Sequence, residues 1–174
     1  MPKRFGLAGF GVVAVLLSWS PVAQGDPGAK SVELTQAGAE LSADIQQTEL
    51  NGRAVVSQYG AANELSSAQT GLGAVADVAQ YGAGNSIRVT QAGESNSAAI
   101  RQFGSDNRLE LSQSGEGSFA DLTQAGDAND MVVAQHSEDA QLTAQQFGSS
   151  LAILITQFGH ANVAVTQVGT GQGS

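Results

Sequence analysis

Apolar residues in this chain recur two apart and then pause. From Asn85 to Gln91, Ile87 and Val89 share one parity with the two amides, while Ser86, Arg88 and Thr90 hold the other. The next stretches agree: Asn96, Ala98, Ile100 and Gln102 against Ser97, Ala99 and Arg101, then Asn107, Leu109, Leu111 and Gln113 against Arg108, Glu110 and Ser112. A spacing of two belongs to strands with one buried and one wet face, whereas a helix would space them by three and four. The pattern predicts short strands separated by turns.

The strands are copies of one another. Gln stands at 36, 47, 58, 69, 80, 91, 102, 113, 124, 135, 146 and 157, always eleven residues apart, and Gln167 comes one residue early. Two residues after Gln lies glycine at Gly38, Gly60, Gly71, Gly82, Gly93, Gly104, Gly115, Gly126, Gly148, Gly159 and Gly169, with Glu49 and Ser137 in its place in two arcs. Five residues after Gln, Asn recurs at Asn63, Asn85, Asn96, Asn107, Asn129 and Asn162. A fixed period of this kind marks a stacked array. Eleven residues also suit a right-handed coiled coil, but a glycine in nearly every arc would cost a helix about 1 kcal/mol each time. Gly with Asn is instead the chemistry of tight turns.

A 22-residue period underlies the first. The position seven after Gln holds Ala43, Leu65, Ile87, Leu109, Met131 and Ile153 in one set of arcs, and Ala54, Ala76, Ala98, Ala120, Leu142 and Ala164 in the other. Facing layers must interdigitate, so large positions opposite small ones imply two strands per rung with opposed inner faces. Tyr59, Tyr81, Phe103 and Phe147 follow Gln in one set, and Phe158 in the other. The expected fold is all-β: a two-sheet, cross-β solenoid of about six 22-residue strand-turn-strand rungs.

Inward glutamine and asparagine need partners, because an unpaired buried amide costs about 1–3 kcal/mol. Identical amides stacked at strand spacing satisfy one another. The twelve in-register glutamines, Gln36 to Gln157, and the six asparagines are therefore expected to form stacking ladders, with the glycines at the turns. A rung at either end would carry a half-finished ladder and an open strand edge, and nothing in the repeat reads as a cap. The expected consequence is end-to-end polymerisation.

Composition narrows the function. Cysteine is absent, which excludes disulfides, thiolate metal sites and cysteine nucleophiles. The formal charge of −9 argues against nucleic-acid binding. Lys3 and Arg4 precede an apolar run from Phe5 to Leu17, and small residues follow, the order of a secretory leader. Residues 1–25 are read as that leader, cut after Gly25, with Ala23 as second choice. A short segment 26–30, the repeats 31–169 and a Gly/Ser tail 170–174 follow. The exported chain would carry five cationic side chains and sixteen acids. His136 and His160 read as solvated turn residues rather than metal ligands. No nucleophile elbow or paired His–acid spacing is present, so no catalytic residue, metal or cofactor is assigned. Aspartates of the outer parity, such as Asp77, Asp121 and Asp130, are a solvated face that would also slow premature assembly.

The unit Gln-x-Gly-x-x-Asn-x-Ala, as in Gln91-Ala92-Gly93-Glu94-Ser95-Asn96-Ser97-Ala98 and Gln157-Phe158-Gly159-His160-Ala161-Asn162-Val163-Ala164, resembles the curlin repeat of bacterial curli fibres. The resemblance covers residues 31–169. It implies a secreted functional amyloid on the cell surface that builds biofilm matrix and mediates adhesion. Its implied partners are further copies of itself, another curlin subunit and the curli export machinery. Acidity and the regular central arcs favour a major fibre subunit. The alternative is a minor, nucleating subunit, since several arcs depart from the pattern. A monomeric β-solenoid binding module is a third reading, but the flat Thr-rich array of ice binders is absent.

Overall fold

The computed structural model describes residues 3–8, 13–19, 29–48 and 50–169. The expected cleavage site after Gly25, Glu49 and the tail 170–174 lie outside the described residues. Every described element is a strand, and the strands form two sheets. The seven-stranded sheet runs, in spatial order, β1 (Lys3–Ala8), β4 (Ser42–Gln47), β6 (Glu64–Gln69), β8 (Ser86–Ala92), β10 (Arg108–Ser114), β12 (Asp130–His136) and β14 (Ala152–Phe158). The eight-stranded sheet runs β2 (Val13–Trp19), β3 (Ser31–Ala39), β5 (Arg53–Ala61), β7 (Val75–Ala83), β9 (Ser97–Ser105), β11 (Phe119–Asp127), β13 (Gln141–Ser149) and β15 (Asn162–Val168). From β3 onward each strand pairs in parallel with the next-but-one, so the chain alternates between sheets and climbs a two-sheet solenoid of about six turns.

The register is that of the 22-residue period. Gln102 pairs with Gln80 and Gln124, and Gln113 with Gln91 and Gln135. Between the sheets, inward positions form a continuous core. Leu65, Ile87, Leu109 and Met131 line one wall, and Ala54, Ala76, Ala98 and Ala120 occupy the same level of the other. Where Leu142 interrupts the alanines, its neighbour two residues on is Ala144 rather than the Leu122 of the preceding strand, so the pair exchanges sizes and the layer keeps its volume. Ser67 breaks its column between Ile45 and Val89, with its hydroxyl buried and unpartnered.

Turns are tight and repetitive. The residue four after Gln adopts a left-handed conformation even where it carries a side chain: Glu40, Asn51, Ala62, Ser95, Asp106, Ala128, Asp139 and Ser150 all lie at φ 51–59°. Such a conformation costs an L-residue about 1–2 kcal/mol. Cross-rung hydrogen bonds offset it: the Asp106 N–H donates to Ala83 O at 2.9 Å and the Ala128 N–H to Ser105 O at 2.9 Å.

Two features differ from the sequence reading. The N-terminal edge is not bare, because β1 lies antiparallel on β4 and β2 antiparallel on β3. Both strands belong to the segment read as a leader. The early Gln167, for its part, gives the last strand an inward set other than the one counted forward from Gln157. The missing residue is removed from the turn, Asn162 opens β15 opposite Gln141, and Val163, Val165 and Gln167 take the inward positions. Ala164, expected inward, is exposed opposite Thr143, and Asn162, expected in a ladder, is an exposed strand residue.

Candidate functional site

The glutamines sit at the end of each inward alternation, where the strand enters its turn, and this places them in two columns. One runs Gln36, Gln58, Gln80, Gln102, Gln124, Gln146 and Gln167. Each Nε2 donates to the next Oε1, at 2.6, 2.7, 3.2, 2.8, 2.8 and 3.0 Å in turn. The other runs Gln47, Gln69, Gln91, Gln113, Gln135 and Gln157, at 2.7, 2.9, 2.9, 2.9 and 3.1 Å. The second amide proton goes to a backbone carbonyl sixteen residues back: Gln58 to Ser42 O at 3.1 Å, Gln91 to Val75 O at 3.0 Å, Gln113 to Ser97 O at 3.2 Å.

That second bond fixes the sense of the column. A carbonyl cannot accept from an amide oxygen, so the nitrogen must face it, and the oxygen is left to accept from the preceding rung. The links other than that from Gln47 therefore donate toward the C-terminal end. Gln47, the first of its column, also suits the reverse orientation, in which its oxygen accepts from the N–H groups of Arg53 and Ala54 at 3.3 Å. A polar column ends in an acceptor on one side and a donor on the other, so the two ends of the stack are chemically complementary.

The asparagines work differently from the expected amide-on-amide ladder. One methylene shorter, each reaches the backbone of its turn. Asn107 Nδ2 donates to Phe103 O at 3.1 Å and to Gly126 O of the following rung at 2.6 Å, and its Oδ1 accepts from the Asn129 N–H at 3.0 Å. Asn63, Asn85 and Asn129 repeat this at the same corner. A direct link between asparagine side chains, Asn107 Nδ2 to Asn85 Oδ1 at 3.2 Å, joins this pattern. At the opposite corner Asn96 binds Ala92 O, Gly115 O and the Ser118 N–H, and Ser118 bonds Ser137 O through its hydroxyl.

The glycines have a packing reason. A Cβ on Gly104 would lie 2.0 Å from Gly126 O, and on Gly82 it would lie 1.9 Å from Gly104 O. Gly38, Gly60, Gly71, Gly93, Gly115 and Gly126 are equally closed by the backbone of the following rung. A Cβ on Gly148 would come within 3.1 Å of Gly169 and Leu151, whereas at Gly159 it would meet nothing within 4 Å.

The outer faces carry their own columns. Tyr59, Tyr81 and Phe103 stack with ring centroids 5.1 and 5.3 Å apart, and Ala125 separates them from Phe147. On the other sheet His136 stacks on Phe158 at 5.6 Å and its Nδ1 lies 2.7 Å from Ser114 Oγ; His160 is an exposed turn residue. Arg108 bridges Asp130 at 3.0 Å and also contacts Glu110, and the Asp130 hydrogen bond raises the guanidinium pKa above its ordinary value. Arg101 reaches Asp121 at 3.3 Å. Sequence reasoning missed the left-handed turn position, the part-buried Lys30 and Ser118 as a stand-in for Asn. A count of the residue four after each Gln would not have found the first, because its identity varies.

At the ends the columns run out. Among the described residues, β14 and β15 have a neighbour on one side only, and Ile153, Ile155, Val163 and Val165 are half-buried where their counterparts inside are fully covered. Residues 82–115 match the family model described as the curlin associated repeat. No curated protein and no solved structure matches the chain. The matched segment holds three of the stacked glutamines and spans the middle of a stack in which the same columns recur above and below it. This segment of the chain carries the curlin associated repeat.

Proposed function

We propose that the chain is the structural subunit of an extracellular, curli-like amyloid fibre. It is exported with residues 1–25 as a leader, released by cleavage after Gly25, and assembled end to end on the bacterial surface, where the fibre builds biofilm matrix and mediates adhesion. The observation that carries this reading is the pair of glutamine columns, whose ten links other than that from Gln47 all donate in one direction. A column of this kind gains a bond with each added rung, and its donor end fits the acceptor end of another copy. A major-type subunit is the form proposed, supported by the acidic composition and the regular central rungs. Its partners are further copies, a second curlin subunit and an export apparatus.

The test is assembly of the chain beginning at Asp26. Incubated alone it is expected to form fibres that seed fresh protein, bind thioflavin and diffract at about 4.7–4.8 and 10 Å. A protein that stays monomeric under light scattering, with or without seeds, overturns the reading.

A further inference from the structure

The N-terminal edge of the solenoid already has an occupant. β1 lies on β4 with Lys3 opposite Gln47 and Ala8 opposite Ser42, and β2 lies on β3 with Val13 opposite Gly38 and Trp19 opposite Val32. Both strands run antiparallel, in a stack where all the other pairings are parallel. They satisfy the edge backbone but do not continue the repeat. The residue in register with Gln36 is Val15, and that in register with Gln47 is Lys3, so neither column finds an amide there.

Lys30 closes the same end independently. Its ammonium donates to Thr48 O at 2.7 Å and Gln47 O at 3.2 Å. One and two rungs on, the carbonyls equivalent to Gln47 O accept instead from the backbone of the preceding rung: Gln69 O from the Thr48 N–H at 3.0 Å and Gln91 O from the Thr70 N–H at 2.9 Å. At the first rung the lysine stands where an incoming rung's N–H would be. A charge on a strand edge is a common guard against edge-to-edge pairing.

We propose that β1 and β2, while attached, occupy the edge formed by β3 and β4 and close it to a second copy, so that a chain retaining them is a one-ended terminator. This rests on the assembly reading above. Such a chain can join a stack only through β14 and β15, and once joined it leaves no acceptor columns at the end it has covered. Loss of the segment leaves Lys30 as the remaining guard, displaced when the backbone of an arriving rung takes its carbonyls.

The test uses the full chain. Because native cysteine is absent, Ser18→Cys combined with Glu33→Cys, a pair opposite one another in β2 and β3, is expected to form a disulfide within one chain on mild oxidation. Ser18→Cys with Val55→Cys, one strand further on, is expected not to. A second full-length variant, Leu7→Pro with Val15→Pro, removes strand hydrogen bonds from the segment while keeping it attached. This variant is expected to elongate, and the cross-linked chain, added substoichiometrically, is expected to stop its fibres at one end only when single fibres are imaged. Absence of the within-chain disulfide overturns the proposal, and so does a cross-linked chain that leaves both ends growing. A proline variant that folds but never elongates, alongside a leaderless chain that also never does, overturns the assembly reading instead, and the cross-link alone then decides what holds the edge.

Discussion

The middle rungs and the last one are built from nearly the same residues and behave as different environments. Around Gln102, Asn107 and Leu109 every inward group has an inward counterpart on both sides, identical for the two amides and apolar for the leucine, and all three are buried. In β14 and β15 the inward Ile153, Ile155, Val163 and Val165 are only half-covered, Leu154 and Phe158 are 76% and 72% exposed, and Asn162 has left the corner altogether. The sequence unit does not carry its own stability; its neighbours do. An amide or a glycine in this fold is worth what the next rung makes of it, as expected for a quasi-one-dimensional array.

The sharpest way to break that comparison is a methyl group at the turn. Gly104→Ala would press its Cβ into Gly126 O at a φ of 109°, and Gly159→Ala would meet open space at a φ of 79°. The first is expected to cost more than about 4 kcal/mol, beyond the range of ordinary substitutions, and the second about 1–2 kcal/mol of backbone strain. Denaturant midpoints of the unassembled chain measure both. If the two cost the same, the close approach of successive turns is wrong.

Next in size is the amide column. Gln102→Leu strands the Gln80 donor and the Gln124 acceptor, an expected loss of about 2–5 kcal/mol, whereas Gln167→Leu at the half-buried end strands only Gln146 and should cost about 1–2 kcal/mol. Asn107→Ala is expected to cost about 1–3 kcal/mol through the orphaned Gly126 carbonyl and Asn129 N–H, against less than about 0.5 kcal/mol for the exposed Asn162→Ala. Equal losses within either pair, in the same denaturation series, would mean that a neighbouring rung adds nothing.

Much of this contrast was legible in the spacing of residues, and the part that was not has a physical cause. The period, the parity of the strands and the identity of Gln36 through Gln157 follow from local alternation, and the structure places all of them inward. The last strand did not yield to the same counting. Read forward from Gln157, the motif puts Asn162 and Ala164 inside; read backward from Gln167, it puts Val163 and Val165 there. A one-residue deletion is absorbed where it disturbs least, and a loose turn yields before a strand whose pairing with Leu142 and Ala144 is at stake. All the asparagines but Asn162 were placed at the right corner, yet only Asn107 and Asn85 share the expected side-chain link while the rest bond backbone, since nothing in their spacing distinguishes a neighbouring amide from a neighbouring carbonyl. The two strands on the N-terminal edge, one in each sheet, were invisible because they lack the repeat.

The smallest expected effect has the opposite sign. Ser67 is a middle-rung residue with an end-like defect, a buried hydroxyl without a partner between Ile45 and Val89. Ser67→Val is expected to stabilise the unassembled chain by about 1 kcal/mol, read as a higher denaturant midpoint. A neutral or destabilising result would show that the column is already filled at that level.

The central claim is that the inward amides are bonded to one another along the stack. Side-chain amide proton exchange tests it most directly, by comparing Gln58, Gln80, Gln102 and Gln124 with Gln46 and Gln145, which lie on the outer parity. The account predicts protected protons on the four column residues and rapid exchange on the other two. Equal, rapid exchange at all six would contradict it.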